Sequence, residues 1–115
     1  MKMREIIFGF SGDPGSIKVA EARTFFDKMI GFMFRKNSNK GLLLISCNSI
    51  HTFFMRFPID AVYLDKTNRV VKVQSNIKPF KVLLPVFSAS KVLEIPSGMI
   101  LTSAITPGDI LKFAV

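Results

Sequence analysis

The residues able to do chemistry crowd into positions 47–65, CNSIHTFFMRFPIDAVYLD, which hold the single cysteine, the single histidine and the single tyrosine of the chain. A thiol nucleophile needs an imidazole within hydrogen-bond reach to raise its thiolate fraction. Cys47 and His51 are four apart, a spacing that brings side chains together on a helix but not on an extended strand. The intervening Asn48-Ser49-Ile50 is turn-like, so a bend is the route by which the pair could meet. Asp60 opens a strand-like run and shares a side with Val62 and Leu64, which draws an ionised carboxylate toward the core. Such a group must be paired or hydrogen-bonded, with Arg35, Arg56 or His51 as the candidate partners. An enzyme built here would use His51 with Asp60 or Cys47 as an acid-base or nucleophilic pair. Glu94, within Lys91-Val92-Leu93-Glu94-Ile95, poses the same question, with an edge or surface position equally open.

Other chemistries lack their signatures. One His and one Cys cannot supply the closely spaced ligands of a zinc site, and there is neither a phosphate-cradling glycine loop nor a Gly-x-Ser-x-Gly elbow. No metal or cofactor is called for, and no catalytic residue is assigned. Lys and Arg outnumber Asp and Glu by 16 to 8, giving a net charge of +8. Residues 1–60 and 61–115 each carry +4, so the excess is scattered as on a solvated surface. Nucleic-acid binding is expected at most as a weak interaction of that surface. Phe53, Phe54 and Phe57 beside Arg56 could stack bases. With twelve Phe, one Tyr and no Trp, however, the core must be built largely from such rings.

The leading expectation is a binding module for a small ligand or a partner. Polar residues embedded among apolar ones resemble the few orienting groups of an apolar pocket. Its candidate lining is Arg35, His51, Thr52, Met55 and Asp60, with Glu94 in addition, and the occupant is expected to be a small anionic ligand or a protein partner.

Around these residues the hydrophobic pattern places mainly strands. Short strands are expected at 4–10, 17–20, 42–45, 52–55, 59–65, 69–74, 81–84, 90–95 and 110–113, separated by Gly, Pro and Asn turns. Asn68 suits the left-handed position of a hairpin, and Pro58 marks a strand boundary. Only 24–34 has helical period: Phe25, Phe26, Met29, Ile30 and Met33 share one face, with Thr24 as N-cap and Asp27 three positions on. Gly31 inside that helix predicts close approach of another backbone. The predicted fold is mainly β, a compact β-sandwich or partly closed barrel of short strands with one short amphipathic helix.

At 115 residues and 49% hydrophobic content, the chain is expected to be a single domain over 1–115. A lone cysteine permits no internal disulfide, no apolar run reaches the ~20 residues of a membrane helix, and the run at 6–10 is too short for a signal sequence. A cytoplasmic monomer is therefore the simplest expectation.

Five blocks carry a resemblance in their order: Gly31-Phe32-Met33-Phe34-Arg35; Gly41-Leu42-Leu43-Leu44; residues 47–65; Val92-Leu93-Glu94-Ile95-Pro96-Ser97-Gly98; and Gly108-Asp109. Together, over about 17–113, they resemble the domain of unknown function 192 family, with His51-Thr52-Phe53-Phe54-Met55 and Ile59-Asp60 the most specific part. The resemblance implies a compact single-domain β fold with a small helix, found in bacteria and archaea, without an established activity. It places recurring polar positions at Arg35, His51, Asp60 and Glu94. The family usually has Leu at Phe32, Arg at Lys28 and Gly at Asn68; Lys for Arg loses bidentate geometry, which matters for any anion site using Lys28.

Overall fold

The computed structural model describes residues 2–7, 16–31, 33, 41–98 and 105–114, of which 2–7, 16–18, 25, 26 and 114 are described by their backbone. Arg35 and the turn residues 11–15 lie outside the described residues. Seven strands form one sheet: β1 (Lys2–Ile7), β2 (Ser16–Ala22), β3 (Gly41–Ile45), β4 (Ile59–Leu64), β5 (Val70–Ile77), β6 (Lys91–Pro96) and β7 (Lys112–Ala114). Their order is β5-β4-β6-β3-β2-β1-β7. All pairings are antiparallel except β2 with β3, which are parallel and joined through α1 (Phe25–Ile30). The mainly β expectation holds, as a single open sheet rather than two stacked ones. Partial closure comes from residues 108–111, which bond to the start of β5 through Val70 N–H to the Asp109 carbonyl (2.7 Å) and Leu111 N–H to the Asn68 carbonyl (3.0 Å) before β7 joins the far edge.

The inner strands explain themselves by composition. Every residue of β4 is buried, as are 41–44 in β3 and 92–96 in β6, runs that are apolar but for Asp60 and Glu94, as expected of strands covered on both faces. Alternation then divides two cores. Ala20, Leu42, Leu44, Ala61, Tyr63 and Val92 face one side with Ile50 and Met55, whereas Val19, Leu43, Val62, Leu64, Leu93 and Ile95 face the other with Ile105 and Leu111. The β4–β5 hairpin is built as its sequence predicts. Asn68 has φ 66°, and the Asp65 carboxylate accepts from Thr67 N–H (2.8 Å), Thr67 Oγ1–H (2.7 Å) and Arg69 N–H (3.1 Å). Those bonds, Thr67's first, hold the Asp65 carboxyl below the usual carboxylate range.

Three expectations are corrected. Residues 52–55 are not a strand: Phe53 and Phe54 form a turn, Phe54 has φ 61°, and both rings are exposed. Thr52 drives this local structure, because its fully buried hydroxyl donates to the Lys78 carbonyl (2.7 Å) and accepts from Lys81 N–H (2.9 Å). The segment 81–84 contributes only one bridge, Val82 to His51. The helix is also shorter than 24–34. Thr24 caps it by accepting from Asp27 N–H (3.0 Å), as its type and spacing predict, but Gly31 ends it with φ 46° and ψ −122°. Gly31 thus serves as a terminator, and a Cβ there would meet the Leu42 side chain at 3.3 Å rather than a neighbouring backbone. Of the face expected to be buried, Met29 is 47% exposed, and Ile30 and Met33 are half-buried.

Candidate functional site

On the sheet face shared by Leu44 and Val92, α1 and the segments 47–55 and 82–83 enclose a pocket of about 370 Å³. Its base is Glu94 of β6. Alternation puts the Glu94 side chain on the same face as Val92, between Leu42 of β3 and Ala61 of β4, its register partners on either side. The residue is 2% exposed and lines the pocket, and among the described residues no hydrogen bond reaches its carboxyl group. Burial without a partner pushes its pKa up to about 8. The edge or surface position open to Glu94 from sequence is therefore corrected: it occupies an inner strand of the sheet, paired on both sides.

Lys28 and Met29 of α1 form one wall. Lys28 Nζ donates to the Ser46 carbonyl (3.2 Å). The Met29 carbonyl faces His51 Nε2 at 3.0 Å, while His51 Nδ1 accepts from Phe53 N–H (3.2 Å). Since a backbone N–H can only donate, Nδ1 is the acceptor and the neutral ring carries its proton on Nε2, directed at Met29. The histidine is anchored by backbone on both ring nitrogens, by the Met29 carbonyl and the Phe53 N–H. Cys47 lines the same pocket, but its Sγ–H donates to the Ser49 carbonyl (3.0 Å), and burial pushes the thiol pKa above its ordinary value. A raised thiol pKa lowers the thiolate fraction, opposite to what a nucleophile needs. With both imidazole nitrogens and the thiol bonded to backbone, the arrangement is one of fixed walls.

Of the residues expected to line the site, His51, Met55 and Glu94 do so. Thr52 is a buried strut behind the wall. Asp60 lies on the opposite face of the sheet with Val62 and Leu64, where one carboxylate oxygen accepts from Asn76 N–H (2.8 Å) and Ser97 Oγ–H (2.8 Å). It holds β4 to the ends of β5 and β6 through these two bonds, made to neither His51 nor Arg56, which corrects the proposed His51–Asp60 pair. The sequence reading did not place Lys28 or Ser49 in the lining. Each stands within four residues of Cys47 or of the Thr24 cap, but the parallel β2–β3 crossover that brings α1 over the 47–55 segment has no local sequence signal. Among the described residues there is no cluster able to hold a metal, and no helix is long and apolar enough to cross a membrane.

The chain is similar to archaeal proteins named UPF0127: it is 32% identical over 105 residues to TK1120 of Thermococcus kodakarensis, covering 86% of this chain and 65% of that protein. It is also 32% identical to PH1112 of Pyrococcus horikoshii over 86% of this chain and 88% of the relative. The chain thus spans under two thirds of the length of the Thermococcus kodakarensis relative. A crystal structure of a protein of unknown function from Novosphingobium aromaticivorans shares the fold, with TM-score 0.80 and 22% identity over 95% of this chain and 83% of that one. The model of the family DUF192, described as "Uncharacterized ACR", matches residues 7–113, which is nearly the whole chain, and the chain therefore belongs to the DUF192 family.

Proposed function

We propose that the protein is a binding module whose pocket takes a small, mainly apolar molecule with an anionic or hydrogen-bond-accepting head, oriented by Glu94 and Lys28. The supporting observation is the Glu94 carboxyl group, buried on the pocket floor without a protein partner among the described residues. A buried polar group is ordinarily hydrogen-bonded, and one left open toward a cavity is positioned to bond an occupant. Lys28 adds the cationic group of the lining, and Leu44, Ile50, Met55 and Leu83 supply the apolar body of the site. With its pKa pushed up to about 8, Glu94 is mostly a neutral acid at pH 7 and donates its proton to an acceptor head.

Octanoate and octylamine are the probes that test this reading by calorimetry at pH 6.5 and pH 9 (both roughly chosen to flank the Glu94 titration). The expected result is octanoate binding at the lower pH, weakened as pH rises through about 8, and lost in Glu94→Leu. Binding of octylamine alone, strengthening with pH, would assign the site to cations. Absence of heat from either probe, or octanoate binding unchanged in Glu94→Leu, would overturn the proposal.

A further inference from the structure

Residues 48–53 and 80–86 run side by side as an irregular ribbon. Phe80 N–H donates to the Thr52 carbonyl (3.0 Å), Thr52 N–H to Lys81 (2.8 Å), Leu83 N–H to Ile50 (3.0 Å) and Val86 N–H to Asn48 (2.8 Å). Leu83 and Val86 pack against the core, while Phe80, Val82 and Leu84 are exposed. Leu84 is 83% exposed. The rings of Phe53 and Phe54 extend the apolar face, with centroids 6.3 and 6.0 Å from that of Phe80. Single exposed apolar residues are ordinary, but a joined set marks a surface that something covers.

Charge identifies what covers it. There is no acidic residue in 48–59 or in 66–93; of the two between them, Asp60 is buried on the other face of the sheet and Asp65 sits in the β4–β5 turn, whereas Arg56, Lys78 and Lys81 are exposed beside the aromatic cluster. A second copy docking face to face would oppose these cations to one another, at a cost in repulsion. A nucleic-acid strand would find phosphate partners, but Val82 and Leu84 offer bases no ring to stack on. An anionic lipid surface satisfies both kinds of residue, apolar side chains entering the acyl boundary and Lys and Arg meeting the phosphates. We propose that the face formed by Phe53, Phe54, Phe80, Val82 and Leu84 docks the protein peripherally on anionic membranes, with Arg56, Lys78 and Lys81 at the headgroup level. This goes beyond the pocket reading and does not depend on it.

The test is co-sedimentation of the full chain with phosphatidylcholine vesicles, with and without phosphatidylglycerol, at low and high salt. Binding is expected on the anionic vesicles only, and weaker at high salt. Leu84→Ser with Phe80→Ser should lower the partition coefficient on the order of 100-fold. Lys78→Gln and Lys81→Gln should each lower it about fivefold. Both lie at exposed positions, and an unchanged melting temperature separates lost docking from lost folding. Four outcomes overturn the proposal: no binding to either vesicle; equal binding to both; self-association in gel filtration that the double variant abolishes without vesicle binding; and capture of a single-stranded oligonucleotide that Phe54→Ala and Phe80→Ala weaken while vesicles are ignored.

Discussion

Replacing Glu94 by Gln should remove a pH dependence of stability that the wild-type chain carries through one proton. In the unfolded chain this carboxyl titrates near its ordinary 4.5, whereas in the folded protein burial holds it to about 8. Between those values the folded state keeps a proton that the unfolded state has released. Unfolding stability therefore falls as pH rises, by about 1.36 kcal/mol per pH unit. Over a window of about three and a half units the loss is on the order of 5 kcal/mol, comparable to the whole stability of a marginal domain. The contribution is fully present below pH 4.5 and exhausted above about pH 8. The Gln variant fills nearly the same space and carries no charge at any pH. Urea unfolding of both proteins at pH 5, 7 and 9 isolates the effect, because groups shifted the other way, such as Asp65, cancel in the difference. At pH 5 the two should agree within about 1 kcal/mol, and at pH 9 the variant should be the more stable by several kcal/mol, roughly the integrated loss. A difference that stays constant from pH 5 to pH 9 would refute an unpartnered buried carboxyl group.

Other substitutions check the geometry around it. Met29→Asp, on an exposed position of α1, should change stability by no more than about 0.5 kcal/mol in thermal or urea unfolding, where a core methionine would cost several times more. Asp60→Ala removes an acceptor that serves Asn76 N–H and Ser97 Oγ–H in a buried setting and should cost about 3 kcal/mol. A neutral result in urea unfolding would exclude Asp60 as the strut between β4 and the ends of its neighbours. Gly31→Ala places a Cβ at φ 46° and 3.3 Å from Leu42, so a loss of about 1–3 kcal/mol is expected, read as a lowered urea midpoint at unchanged slope.

The parts of this fold written in local pattern were readable from sequence. The buried run of β4, apolar but for Asp60, the Asp65-to-Arg69 turn with its left-handed Asn68, the Thr24 cap and the strand boundary at Pro58 each depend on neighbours within a few residues. What was not readable depends on the sheet order. Asp60 and Glu94 are both acidic residues within apolar strands, and only the placement of β6 between β3 and β4, and the face each alternation selects, makes one a satisfied strut and the other an open pocket floor. Likewise, Phe53 and Phe54 read as core by composition. Thr52, bonded to Lys78 and Lys81 some 26 and 29 residues away, forces the turn that exposes them. Helical period at 25–33 overstated the helix, because a backbone stop at Gly31 leaves the apolar spacing intact while ending the hydrogen-bond ladder.

The pocket has a floor and a ceiling of very different mechanical character. Glu94 belongs to a strand laddered on both sides, so its amide can exchange with solvent only when the sheet itself comes apart. The ceiling is a six-residue helix, far below the length at which a helix holds itself together, secured to the wall by the Lys28–Ser46 and His51–Met29 bonds. Its opening is therefore a sub-global event costing only a fraction of the unfolding free energy. Amides of residues 28–31 should become labelled long before those of 92–95, so that the helix side of the pocket opens while its floor stays in place.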